Sequence, residues 1–230
     1  MQIYFNFYYL RVAMRYETVL FDLDGTLVDT IDDLGNAVNH VLSLRGLPVH
    51  GMDEYRGMVG HGIRDLNRRA LPAEYAENEE YLDACLKDFV SFYSSHIDVY
   101  TRPYKGIHEL LQELRRKKIA IAVTSNKFQA GTEHLIAEFF PDIEFISVLG
   151  NRTGYPLKPD PAIVESVLEL SGSPKDRAVL VGDSRTDIKT ARNGGIASIA
   201  VTWGFRPRSD LLEADLIVDD INSLREALLA

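Results

Sequence analysis

The sequence contains one cysteine, Cys85, so no disulfide can close within the chain. That fits a reducing compartment such as the cytoplasm. Cys85 lies in a helical run with Tyr81, Leu82, Leu86 and Phe89, where a small core residue is expected. No apolar run approaches the length of a membrane span. Positive charge is also short: 25 Lys and Arg against 34 Asp and Glu leave a net charge of −9. This argues against nucleic acid or an anionic membrane as a main partner. There is no internal repeat and no low-complexity tract.

What is present is an ordinary soluble composition. The 230 residues are 46% hydrophobic, enough for one large domain or two modest ones. Met1 to Leu10 is rich in Tyr and Phe, without the basic region or cleavage site of a targeting segment. Residues 1–13 are read as an N-terminal extension, with Met14 as a candidate start. An extra edge strand or an oligomer contact is the alternative. Thr18-Val19-Leu20-Phe21 reads as a buried strand, broken by Gly25-Thr26. From Ile31 to Tyr100 the apolar spacing is helical, with no convincing strand. Asp53–Leu71 and Ala76–Tyr93 read as helical periods, and Glu77, Glu79, Glu80 and Asp83 as a solvated face.

After Gly106 the pattern alternates. Strands are expected at Ile119–Thr124, Phe145–Leu149, Ala178–Val181, Ser198–Val201 and Leu216–Val218, separated by helices. Such alternation implies right-handed crossovers and a parallel sheet. The expected fold is therefore α/β: a Rossmann-like parallel sheet with helices on both faces, plus an inserted all-helical domain. Residues 14–30 and 101–230 would form the α/β core, and 31–100 the helical insertion.

Ligands of such sheets bind beyond the carboxyl ends of the strands. Those ends deliver Asp22 and Asp24, then Thr124-Ser125-Asn126-Lys127, then the Lys158-Pro159-Asp160-Pro161 loop, then Gly182-Asp183 through Asp187. Like charges held close are costly unless a cation lies between them or one keeps its proton. Hard carboxylate oxygens, a hydroxyl, an amide and a lysine suit Mg²⁺ together with a phosphate.

The run FDLDGTLVDT resembles the first motif of the haloacid dehalogenase superfamily in its Mg²⁺-dependent phosphatase form. Ser125-Asn126, Lys158-Pro159 and GDSRTD match the later motifs, in order. The likeness runs from about Tyr16 to Ala230. Pro103-Tyr104-Lys105-Gly106, KPDPAIV and Val201-Thr202-Trp203-Gly204-Phe205 are similar to the phosphoglycolate phosphatase-like branch, whose helical cap lies between its first two motifs.

The resemblance implies a phosphomonoester hydrolase acting on a small phosphorylated metabolite, 2-phosphoglycolate being one candidate. Asp22, ionised at neutral pH, would attack phosphorus and form an aspartyl-phosphate. Asp24 would protonate the leaving alkoxide and then serve as base for water. The metal would be held by the Asp22 side chain, the Asp24 carbonyl and Asp183, with Asp187 orienting its waters. Ser125 or Thr124 would bind a phosphate oxygen, with Asn126 beside it, and Lys158 would neutralise the phosphoryl group.

In the expected cap, Gly60-His61-Gly62 sits at a helix junction. His61 and Arg64 are either contacts for the organic part of the substrate or solvated helix residues. Three other readings stand beside the hydrolase: a phosphosugar mutase of the β-phosphoglucomutase kind, a pyrophosphatase, and a non-catalytic binding module. Phosphonate hydrolysis would need a cap lysine for a Schiff base, and Lys87 is the only lysine between Thr30 and Tyr100.

Overall fold

A computed structural model describes residues 16–229. The expected extension over residues 1–13 and the candidate start at Met14 lie outside the described residues. The first strand, β1 (Thr18–Phe21), is fully buried. The chain turns at Gly25, whose φ of 85° suits a residue without a Cβ, and enters the two-residue strand β2 (Val28–Asp29). Helices α1 (Ile31–Leu44), α2 (Met52–Met58), α3 (Ile63–Ala70), α4 (Ala73–Ala76) and α5 (Glu79–Tyr93) follow with no strand between them. The chain returns through β3 (Arg102–Pro103), which pairs antiparallel with β2.

From there strands and helices alternate. The order is α6 (Ile107–Arg116), β4 (Ala120–Phe128), α7 (Gln129–Phe139), β5 (Ser147–Asn151), α8 (Ala162–Ser171) and β6 (Ala178–Gly182). Then come α9 (Arg185–Gly194), β7 (Ala197–Val201), β8 (Leu216–Val218) and α10 (Ile221–Leu229). The main sheet has six strands in the order β5-β4-β1-β6-β7-β8, and every neighbouring pair is parallel.

Alternation along β1 explains the layers, because successive strand residues face opposite sides. Val19 and Phe21 belong to one apolar cluster with Ile121, Val123, Val179 and Val181, Leu110 and Leu114 of α6, Leu135 of α7 and Leu224 of α10. Leu20 belongs to another, with Ala122, Leu180, Val164 and Val167 of α8 and Ala191 of α9. Helices thus cover both faces, as expected for a parallel sheet.

Three boundaries differ from expectation. The expected helical stretch Asp53–Leu71 is broken between α2 and α3, where Gly60 and Gly62 take φ values of 109° and 85°. β4 runs four residues beyond Thr124. Its pairing with β5 loses register after Thr124 and resumes at Phe128, opposite Asn151. The β2–β3 ribbon, two residues per strand, is too short to leave a periodic signal.

The exit from the helical insertion is tied to its entrance by Asp33, in the first turn of α1. Its buried carboxylate accepts from the backbone N–H of Tyr100 at 3.0 Å and from the N–H and Oγ1 of Thr101 at 2.8 and 2.7 Å. Replacing it with alanine strands those donors where water cannot reach all of them. Asp33→Ala should lower unfolding free energy in urea by roughly 3 kcal/mol, and Asp33→Asn, which keeps one acceptor, by about half of that.

Candidate active site

The register of the central strands assembles the site. Phe21 lies opposite Val123 on one side and Val181 on the other. The next residue, Asp22, donates its N–H to Val181 O at 2.9 Å. Asp22 therefore emerges from the sheet between the Thr124-Ser125 end of β4 and the Gly182-Asp183 end of β6. Helix α9 starts just beyond, capped by Ser184: its Oγ donates to Asp187 Oδ2 at 2.6 Å, and its N–H donates to the same oxygen at 3.1 Å. This cap fixes the Asp187 carboxylate at the mouth of the sheet.

Lys158 enters from the loop before α8. Its ammonium donates to Asp22 Oδ1 at 2.7 Å, Asp187 Oδ1 at 2.7 Å and the Thr124 carbonyl at 2.9 Å, so all three N–H groups are used. The loop is held by Asn126, whose Oδ1 accepts from the Lys158 N–H at 2.8 Å and whose Nδ2 donates to the Lys158 carbonyl at 3.1 Å. Burial works against the lysine's charge, but Asp187 and Asp22 outweigh it and hold the ammonium above its ordinary pKa.

One ammonium among three buried carboxylates leaves an excess of negative charge. Oxygens of Asp22, Asp183 and Asp187 all lie within 4.8 Å of one another, and the three side chains are buried. Burial first, and then Asp187, push Asp22 well above the ordinary carboxylate range despite Lys158. The same two causes raise Asp183 to about 7, against the pull of the Phe205 N–H, which donates to it at 2.6 Å. Three hard oxygen donors, of which Asp22 and Asp183 resist ionisation on their own, fit a divalent cation, which would offset their charge. The backbone is shaped around them. At Gly204 a Cβ would overlap the Asp183 side chain and the Gly25 carbonyl.

These residues line a cleft between the sheet and the helical insertion. Ser125, Asn126, Lys127 and Asp24 face it from the sheet side. Val59, Gly60, Gly62, Ile63 and Leu66 face it from the α2–α3 joint. The haloacid dehalogenase-like hydrolase family matches residues 19–201. The chain belongs to this family.

The chain is 33% identical over 211 residues to a phosphoglycolate phosphatase of Pseudomonas savastanoi pv. phaseolicola, covering 90% of this chain and 77% of that one. It is 34% identical over 212 residues to a phosphoglycolate phosphatase of Agrobacterium fabrum, covering 91% of both. A solved structure from Lactobacillus delbrueckii subsp. bulgaricus, provisionally assigned the same activity, superimposes with a TM-score of 0.88 at 32% identity. That match covers 94% of this chain and all of the other. Family and relatives together make this chain a phosphatase.

In this haloacid dehalogenase-like hydrolase, Asp22, Asp24, Ser125, Asn126, Lys158, Asp183 and Asp187 share one cleft. Three other expected residues stand apart from it. Thr124 turns its hydroxyl into the core, where Oγ1 is buried without a protein partner, and serves the site through its carbonyl. Of the two candidate hydroxyls, only Ser125 lines the cleft. Arg64 belongs to the exposed face of α3, where it pairs with Glu79 and, at 2.6 Å, with Asp83. The acidic run on α5 supplies these partners, so Arg64 is a solvated ion-pair residue. His61 is exposed and lines a separate surface hollow with Arg69, Arg185 and Lys189.

Sequence reasoning missed Arg206, from the loop after β7. Its Nη1 donates to the Arg56 carbonyl at 2.7 Å and its Nη2 to the Val59 carbonyl, at the C-terminal end of α2 where a cation is favourable. It lines the cleft while clasping the insertion. Sequence reasoning named Lys127 at the strand end without giving it a role, in a stretch expected to be loop, and read Tyr93 only as the end of a helical period.

The raised Asp183 gives a pH signature. Its folded value of about 7 stands above the ordinary 3.8, so without a cation the folded state holds that proton more tightly than the unfolded chain. Stability from this group is then lost as pH rises toward 7, and a bound cation restores it. With Mg²⁺ as the probe, the rise in Tm on adding the ion should grow from about pH 5 to about pH 8. A rise that does not change with pH would mean that the ion is held elsewhere.

Proposed function

We propose that this chain is a Mg²⁺-dependent phosphomonoester hydrolase of small phosphorylated metabolites, working through an aspartyl-phosphate on Asp22. The observation that carries the reading is the convergence of Asp22, Lys158, Asp183 and Asp187 at the carboxyl end of the sheet. The shared name of the relatives makes 2-phosphoglycolate the first substrate to try.

Each residue has a role that follows from its place. Asp22 attacks phosphorus with a carboxylate oxygen, and the ester P–O bond breaks. The electron pair leaves with the alkoxide oxygen, which takes the proton of Asp24. Asp24, now a carboxylate, removes a proton from the water that attacks the aspartyl-phosphate. Phosphate departs and Asp22 is restored. Lys158 keeps an ammonium beside the nucleophile and the phosphoryl oxygens, and the Ser125 hydroxyl donates to one of those oxygens. Asn126 holds the Lys158 loop in place.

Asp22 and Asp183, with the carbonyl of Asp24, would hold Mg²⁺, and Asp187 would orient its waters. Bound there, the ion supplies positive charge that offsets the carboxylates and the phosphate. The helical insertion, residues 31–100, acts as a cap over the core of residues 14–30 and 101–230. Its Val59–Leu66 joint sits over the cleft, excluding water and selecting the organic group. No helix of the described residues is long and apolar enough to cross a membrane, and a single buried cysteine suits the cytoplasm.

The wild-type protein should hydrolyse p-nitrophenyl phosphate with Mg²⁺ and stop when a chelator is added. Asp22→Asn should fold, as judged by circular dichroism, and lose roughly a thousandfold or more in turnover. Full activity in that variant would remove the nucleophile assignment. In a panel of phosphorylated metabolites, 2-phosphoglycolate should give the highest kcat/KM; a sugar phosphate returned as its isomer without free phosphate would point to a mutase instead.

A further inference from the structure

Asp22 and Asp24 are two residues apart, yet they are held by different cations. Asp22 belongs to Lys158. Asp24 belongs to Lys127, whose Nζ is 3.2 Å from Asp24 Oδ1 and 3.5 Å from Oδ2. The lysine side chain is 1% exposed. A buried ammonium is costly unless it is paired and hydrogen-bonded, so its neighbours account for its presence. Besides Asp24 they are the phenol of Tyr93, whose oxygen accepts from Nζ at 2.6 Å, and the Tyr93 ring, 4.7 Å from Nζ to its centroid.

Tyr93 ends α5 and is fully buried. Burial first, and then Asp24, hold its phenol well above its ordinary pKa, so it is a neutral acceptor for the ammonium. The backbone also serves this arrangement. Between the two paired parts of β4, Ser125 Oγ accepts the Lys127 N–H at 3.1 Å, which fixes the lysine's direction.

The bonds on Asp24 are uneven. Thr30 Oγ1 donates to Oδ1 at 2.8 Å, and Lys127 makes its shorter contact to the same oxygen. Oδ1 is thereby anchored from two sides. Oδ2 keeps only the 3.5 Å contact, which leaves it the freer oxygen of a residue that lines the cleft. A group that must meet a leaving oxygen within hydrogen-bond reach gains from having its rotamer fixed in this way.

We propose that Lys127, braced by Tyr93 of the helical insertion, is the positioning residue for the proton donor Asp24, and so governs how well the enzyme expels leaving groups that need a proton. The inference rests on the reading of Asp24 given above. It adds a residue from β4 and one from α5 to the machinery, and it makes the helical insertion part of the proton-donating step as well as of substrate choice.

The test compares two leaving groups. p-Nitrophenolate departs without a proton, whereas the alkoxide of 2-phosphoglycolate does not. kcat/KM reports each substrate up to the departure of that group. It therefore excludes the later hydrolysis of the aspartyl-phosphate, which the two substrates share. Lys127→Met should lower kcat/KM for 2-phosphoglycolate roughly 30-fold more than for p-nitrophenyl phosphate, whose smaller loss reports the removal of a cation from the cleft. Tyr93→Phe, which keeps the lysine and the ring, should act in the same direction by roughly fivefold on 2-phosphoglycolate alone. It also keeps the test decisive should Lys127→Met disturb folding.

Asp24→Asn sets the full size of the selective loss. Equal losses on both substrates, in either variant, would mean that Lys127 and Tyr93 only support the fold, and would overturn the proposal. The catalytic reading itself is judged on the wild-type protein and Asp22→Asn, so the two can fail separately.

Discussion

The contact on which the rest depends is a single ammonium, Lys158 Nζ, donating at 2.7 Å to both Asp22 and Asp187. Three carboxylates, two from strand ends and one from the first turn of α9, cannot be buried together without compensation. The lysine removes part of the repulsion and fixes the geometry of what remains. The residual negative charge is what would draw a cation to the cluster. The arrangement is thus poised. An ion and a phosphate would complete its balance, and the chain alone leaves Asp22 and Asp183 unwilling to ionise.

The same contact explains the fold around it. A parallel sheet sends every strand end to one edge, and the pairing Phe21–Val123 and Phe21–Val181 sets β1 between β4 and β6. Asp22, Ser125 and Asp183 therefore meet by register alone. Lys158 comes from a loop and needs a separate tether, which the two Asn126 bonds provide. The Ser184–Asp187 capping box does for α9 what Asn126 does for the loop. Ordinary devices of secondary structure thus hold the reactive groups.

How far this could be read from the sequence follows the same division. The strand ends were legible because a buried strand followed by Asp, Ser-Asn or Gly-Asp has a plain signature, and parallel topology then brings those ends together. Lys158 was legible because Pro159 and Asp160-Pro161 frame its loop. Lys127 was not. Ser-Asn-Lys after an apolar run reads as the start of a loop, and only the resumption of pairing at Phe128 makes it strand. Tyr93 looked like any aromatic on the apolar face of a helix, since periodicity reports burial and not what a hydroxyl meets. Arg64 stayed open between a substrate contact and a solvated helix residue for the opposite reason. Glu79 and Asp83 had been recognised as a solvated face, but their partner on α3 lies 15 to 19 residues away and periodicity cannot pair it.

An acidic chain that handles a dianionic ester must reverse its field where the ester sits. The cleft does so with three cations that differ in their ties. Lys158 answers only to the sheet edge and the start of α9. Lys127 answers to the sheet and to α5, and Arg206 to the loop after β7 and the end of α2. Two of the three are bonded to the helical insertion, so the insertion's position is felt as charge in the cleft as well as shape. A change in that position would shift Lys127 and Arg206 directly, and would reach Lys158 only through Asn126, which also donates to the Gly60 carbonyl at 3.2 Å. The groups around Asp22 are thus tied mainly to the core, and Asp24 and the Arg206 side of the cleft to both parts of the chain.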